Sequence, residues 1–161
     1  MAWMPFVVLS LLVGFAWYWR GLKRRAAVIS EKVRRQALDN ALVWPELGQF
    51  GAEVVGESYY QAALTRIVGS ADDAGVRQLE QAVLVPEDDN PHDSQAVGVY
   101  IQDFKVGHLS REGARTFRRR LAAKKAKGLP SKCGALVVGG HKLENGTRAS
   151  YGVWLDIKSF D

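Results

Sequence analysis

Leu84-Val-Pro-Glu-Asp-Asp-Asn-Pro-His-Asp-Ser-Gln-Ala-Val-Gly-Val99, followed closely by Val106-Gly-His-Leu-Ser-Arg111, decides the fold of this chain. Ala82–Val85 and Ala96–Ile101 read as strands, because β-branched residues crowd both and a Pro/Asp/Asn run divides them. Phe104–Val106 reads as a third short strand. Ser110 then offers a hydroxyl N-cap, Glu112 sits in the first turn, and Ala114, Phe117 and Leu121 make one apolar stripe. The expectation is strand, polar loop, strand, strand, helix, with Gly128-Leu129-Pro130 ending the helix.

Outward from this block the period stays short. Glu53–Gly56, Ala62–Val68, Ala135–Val138 and Tyr151–Ile157 read as further strands, with Tyr151, Val153, Leu155 and Ile157 on one face. Asn145-Gly146 signals a hairpin turn between His141–Leu143 and Arg148–Ser150. Many short strands with one or two helices predict a mainly β fold, a small barrel over residues 50–161.

The other end of the chain obeys different rules. Residues 1–19 carry no charged side chain, and as a helix they extend roughly 28 Å, enough for a bilayer core. Trp3 lies at one end and Trp17, Tyr18 and Trp19 at the other, where amphipathic rings favour the headgroup region. Arg20, Lys23, Arg24 and Arg25 follow at once. A cleaved signal peptide would carry its basic residues before the apolar run and small residues after it, so a retained transmembrane helix is the expectation. The positive-inside tendency puts the N-terminus outside and residues 20–161 in the cytoplasm, as in a single-pass membrane protein. Residues 20–48 read as a basic helical stalk or linker, helical from Gly21 to about Leu42, with Leu22, Ala26, Ile29, Val33, Ala37 and Ala41 at helical steps. A coiled-coil or docking helix is the alternative for this stretch. Trp44-Pro45-Glu46-Leu47-Gly48 breaks the helix.

Charge follows this division. The net +5 is uneven, because Arg20–Gln49 holds seven basic and three acidic residues, whereas residues 50–161 hold 15 and 14. The high pI therefore says more about a membrane surface than about nucleic acid. Within the barrel region the basic residues cluster: nine lie between Arg111 and Lys132, against Glu112 alone. A solvated helix face or a phosphate-contacting patch both fit. The single cysteine, Cys133, excludes an internal disulfide and a Cys-based zinc site, and its apolar setting predicts a buried structural thiol.

In order and spacing, Val55-Gly-Glu-Ser-Tyr-Tyr60, Asn90-Pro-His-Asp-Ser-Gln-Ala-Val97 and Val106-Gly-His-Leu109 resemble the HIRAN domain. The resemblance runs from about Val54 to Ile157. It implies an OB-like barrel and capture of the 3′ end of single-stranded DNA through the terminal 3′-hydroxyl, without catalysis and without a cofactor. On the matching positions, Tyr59 would stack a terminal base and Tyr60 would pack beside it. Asp93 would accept from the 3′-hydroxyl and repel a terminal phosphate, and Asn90 with Pro91 would shape the turn presenting it. His108 and Arg111 would meet phosphates at the helix entrance, with Arg115 and Arg118 further along. Two positions depart from the family pattern. Ser58 stands where DNA-end-binding relatives carry a basic residue, and His92 replaces an aromatic that helps enclose the base.

Two other readings stand beside this one. A membrane-anchored module binding a protein or peptide needs only the barrel and its tether. A metal-dependent nuclease would draw on Asp88, Asp89, His92, Asp93 and His108, whose oxygen and imidazole ligands suit divalent metals. Against an enzyme, no phosphate-binding glycine loop, hydrolase elbow or HExxH motif is present.

Overall fold

In a computed structural model, the structure describes residues 38–160. The transmembrane helix expected at residues 1–19 and most of the expected stalk lie outside the described residues. Among the described residues no helix is long and apolar enough to cross a membrane.

Seven strands form the sheet: β1 (Leu42–Val43), β2 (Ala52–Val55), β3 (Val76–Pro86), β4 (Val97–Ile101), β5 (Phe104–Leu109), β6 (Ser131–Gly139) and β7 (Gly152–Leu155). Six of them close on themselves in the order β6-β3-β4-β5-β2-β7, with β7 returning to β6. Closure removes free sheet edges. It is achieved by long strands shared between two neighbours. β3 pairs with β6 from Val76 to Leu84 and with β4 from Ala82 to Pro86, so its two ends serve different partners. This stagger is what a small barrel requires. The expected strands at 82–85 and 135–138 are thus the cores of longer ones. Arg77, Gln78, Glu80 and Gln81 hid the start of β3, because one face of it stays outside the core.

Alternation fills the interior. Ala82 and Leu84 from β3, Val97, Val99 and Ile101 from β4, and Val153 and Leu155 from β7 are all inaccessible to solvent. β4 and β5 are joined by Gln102-Asp103, both at positive φ (49° and 67°), the conformation that lets two residues connect twisted strands. The hairpin expected at Asn145-Gly146 is present as a tight turn, with Leu143 N–H donating to Thr147 O (2.7 Å) and Lys142 bridged to Arg148.

Two helices pack on the barrel: α1 (Gln61–Val68) and α2 (Arg111–Ala123). α1 corrects the reading of Ala62–Val68 as a strand. Its buried residues are Leu64 and Ile67, three apart, which is a helical and not an alternating spacing. α2 is built as expected, with Ser110 Oγ accepting from Gly113 N–H (3.1 Å) and Ala114, Phe117 and Leu121 buried. It stops at Ala123, five residues before the glycine expected to end it, where Lys125 takes a positive φ of 58°.

A second correction concerns Leu42–Gly48. The helix expected to reach about Leu42 is over by Asn40, and the compact unit begins at Ala41. β1 pairs in parallel with Ser131–Lys132, and Trp44 N–H donates to Lys132 O (2.8 Å). The Trp44 ring lies 5.6 Å from that of Phe117. Beyond Pro45 and Glu46, four consecutive residues wrap one carboxylate: Asp156 accepts from the N–H groups of Leu47 (2.8 Å), Gly48 (2.9 Å), Gln49 (3.0 Å) and Phe50 (3.4 Å). Burial alone would push this carboxyl up; the four amides outweigh it and hold its pKa below the ordinary value. Cys133, in β6, is 3% exposed, and burial together with Asp156 pushes its thiol up to about 12.

Candidate functional site

Three segments meet on one face of the barrel: the turn before α1, the loop between β3 and β4, and β5 leading into α2. The turn Glu57–Tyr60 is a single 3-10 turn, fastened from both sides. The Gln61 amide closes a two-point clasp just before β7, donating to Tyr151 O (2.9 Å) and accepting from Tyr151 N–H (2.8 Å). Glu57 accepts from Val153 N–H (3.3 Å), and burial raises its pKa. Between these anchors Tyr59 is thrown outward and is 89% exposed, while Tyr60 is half-buried with its ring 6.4 Å from His108.

The loop from Glu87 to Ala96 is organised by its own polar side chains. Asn90 Oδ1 accepts from His92 N–H (3.0 Å) and Asp93 N–H (3.3 Å), and Asp93 Oδ1 accepts from Gln95 N–H (2.9 Å). These are the local side-chain turns that Asn and Asp commonly make. Asn90 shapes the turn as expected. Asp93 caps its own turn with one carboxylate oxygen, and His92 is exposed.

The centre of the face is a residue that the sequence reading left without a role. The Glu87 carboxylate receives Lys105 Nζ (2.6 Å), Asn90 Nδ2 (2.9 Å) and the Tyr100 hydroxyl (3.3 Å), and lies 3.3 Å from His108 Nε2. Burial pushes this carboxyl up, but the hydrogen bonds from Lys105 and Asn90 and the charges of Lys105 and His108 outweigh it and lower its pKa to about 2. Glu87 in turn raises the pKa of Lys105 against the opposing effect of burial. The network fits because Gly98 sits beneath it; a Cβ there would collide with Glu87 Oε1. Gly107 has a similar reason, since a Cβ would lie 2.7 Å from Val55 O across the β2–β5 pairing. The register of the β4–β5 hairpin brings Gly98 opposite His108 and Tyr100 opposite Lys105. Only that register, which no single motif contains, makes the cluster visible.

The three arginines assigned to this face part company. Arg118 reaches back to the loop, with Nε donating to Gln95 O (2.9 Å), Nη2 to Ala96 O (2.9 Å) and Nη1 to Asp88 Oδ1 (2.6 Å). Its guanidinium is committed to holding the loop on α2. Arg111 and Arg115 are exposed. Asp88 is therefore paired with Arg118. Among the described residues, no group of three or more His, Cys, Asp or Glu side chains is arranged to hold a metal.

A family model for the HIRAN domain matches residues 47–131, more than half of the chain. The chain belongs to the HIRAN family. The matched stretch begins at the amides that wrap Asp156 and ends at the first residue of β6, so the HIRAN domain here is closed by strands beyond the match. No curated protein and no solved structure matches the chain. Membership of this family points, at the general level, to nucleic acid as the class of partner.

Proposed function

We propose that this HIRAN domain is a non-catalytic module that captures the 3′ end of single-stranded DNA, held at a membrane by residues 1–19 with the domain on the cytoplasmic side. The observation that carries the reading is Tyr59, an aromatic ring 89% exposed on a turn anchored at both ends. A flat ring held open to solvent on a fixed turn is a surface on which a nucleobase can stack. From Tyr60 through His108, Glu87 and Asn90, an unbroken series of contacts leads to Asp93. A terminal nucleotide stacked on Tyr59 meets this polar face, and the second Asp93 oxygen is the acceptor for its 3′-hydroxyl.

The test is binding of the full chain to short single strands ending in 3′-hydroxyl or 3′-phosphate. A preference for the hydroxyl that disappears in Asp93→Ala supports end capture. Weak binding indifferent to the terminus counts against it and favours the second reading, a tethered peptide-binding module. That reading has its own observation, a groove of about 560 Å³ with an apolar floor of Trp44, Pro45, Leu47, Phe117 and Ile157 and with Arg120, Lys124 and Lys158 also lining it.

A further inference from the structure

We propose that the captured strand leaves the end-binding face along α2, its backbone phosphates carried by Arg111, Arg115 and Arg119, while Arg118 takes no phosphate. The inference rests on the end-capture reading and adds a path, a strand length and a division of labour among neighbouring arginines.

The helix sets the geometry. Residues four apart advance about 6 Å along the axis and turn about 40° around it, so Arg111, Arg115 and Arg119 form one gently winding row. All three are exposed, whereas Gly113, Ala114, Phe117 and Leu121 fill the buried side. Ala122, exposed on the same side as the row, leaves it open. The row starts where β5 ends, two residues beyond the Leu109 that follows His108, and so at the edge of the proposed end-binding face. Arg118 lies along one flank of this row, bound to the loop that carries Asn90 and Asp93. The row is therefore fixed beside the loop, and the loop beside the row.

Charge selects the occupant. The only acidic residue of α2 is Glu112, exposed in the first turn on the border of the row, so the row keeps a net positive charge of two. The spacing of the row is close to one nucleotide step of an extended strand. A phosphodiester backbone, a regular line of single negative charges, is the partner that matches it. A terminal nucleotide plus three phosphates gives a footprint of about four nucleotides, at the lower end of what one OB-type fold covers.

The experiment is a length series. Affinity of the full chain in neutral detergent is measured for 3′-hydroxyl strands of increasing length, from a dinucleotide upward, at several salt concentrations. Affinity is expected to climb with each added nucleotide and level off near a length of about four to five. Arg115→Ala and Arg119→Ala should each lower the salt slope by about 0.7 for long strands, leaving the dinucleotide and the hydroxyl preference unchanged. Arg118→Ala should weaken binding at every length and keep the slope. Hydroxyl-specific binding that does not grow beyond two nucleotides overturns the track and leaves end capture standing. Loss of end preference at all lengths overturns both. If Arg115→Ala and Arg119→Ala instead reduce binding to phosphatidylserine vesicles relative to neutral ones, with the length series intact, the row is a lipid-facing surface and the proposal fails.

Discussion

Glu87 and Asp156 are both carboxylates held by four donor groups, and they are held in opposite ways. Four side chains surround Glu87, on the face that carries the site. Four consecutive backbone amides surround Asp156, where the chain enters the barrel. Side chains can turn away from a carboxylate and return; amides in sequence cannot leave without moving the chain. The Asp156 seam is thus a lock built into the chain path, whereas the Glu87 network is held by side chains alone.

The sharpest way to break the comparison is to cut the lock. A fragment beginning at residue 50 lacks β1, Trp44 and three of the four amides on Asp156. It is expected to lose at least about 4 kcal/mol relative to a chain containing Ala41 onward, from the lost indole packing and a buried carboxylate short of donors. Urea denaturation followed by tryptophan fluorescence measures this; equal midpoints would show that the seam is ornamental.

Glu87→Gln is next, at about 2–3 kcal/mol near neutral pH. Its pH dependence has a definite sign. The folded pKa is depressed from 4.5 to about 2, so the stabilisation is complete above 4.5 and is lost as pH falls from there toward 2. Asp156, also depressed, weakens the fold in the same direction. The gap between wild type and Glu87→Gln should therefore close on acidification, and a gap that stays constant down to pH 2 would count against the assignment.

Arg118→Ala should cost about 1–2 kcal/mol and act locally. Hydrogen exchange is expected to quicken at loop amides such as Asn90 and Gln95 while β3 and β6 stay protected. Smallest for the fold is Tyr59→Ala, with stability changing by no more than about 0.5 kcal/mol. Its effect on strand binding should nevertheless be a loss of about 1–3 kcal/mol, or roughly five- to 150-fold in affinity. Titration calorimetry and thermal melting on the same variant separate the two.

Much of the barrel could be read in advance because its core residues alternate within strands and its helix carries both a cap and a stripe. The reading failed where a different period was hidden. In α1, Ile67 and Val68 look like strand residues, yet only Leu64 and Ile67 are buried, and Gln61 pins the helix by its side chain. At Trp44-Pro45 the sequence shows a helix breaker; nothing local shows that Phe117 and Asp156, far along the chain, are waiting for it. At the site the loop residues Asn90 and Asp93 were legible because turns are local chemistry. Glu87, Tyr100 and Lys105 were not, since their meeting depends on strand register and on the space above Gly98.

Cys133 gives the molecule a built-in reporter. It is the single thiol of the chain, sits 3% exposed on the long β3–β6 pairing, and holds its proton to a pKa of about 12. A thiol in that state does not react with an alkylating reagent until the pairing around it separates. Labelling kinetics on the unaltered protein therefore time the opening of the barrel wall. Any ligand that holds the closed barrel more tightly should slow the clock, without any dye, tag or substitution having been introduced.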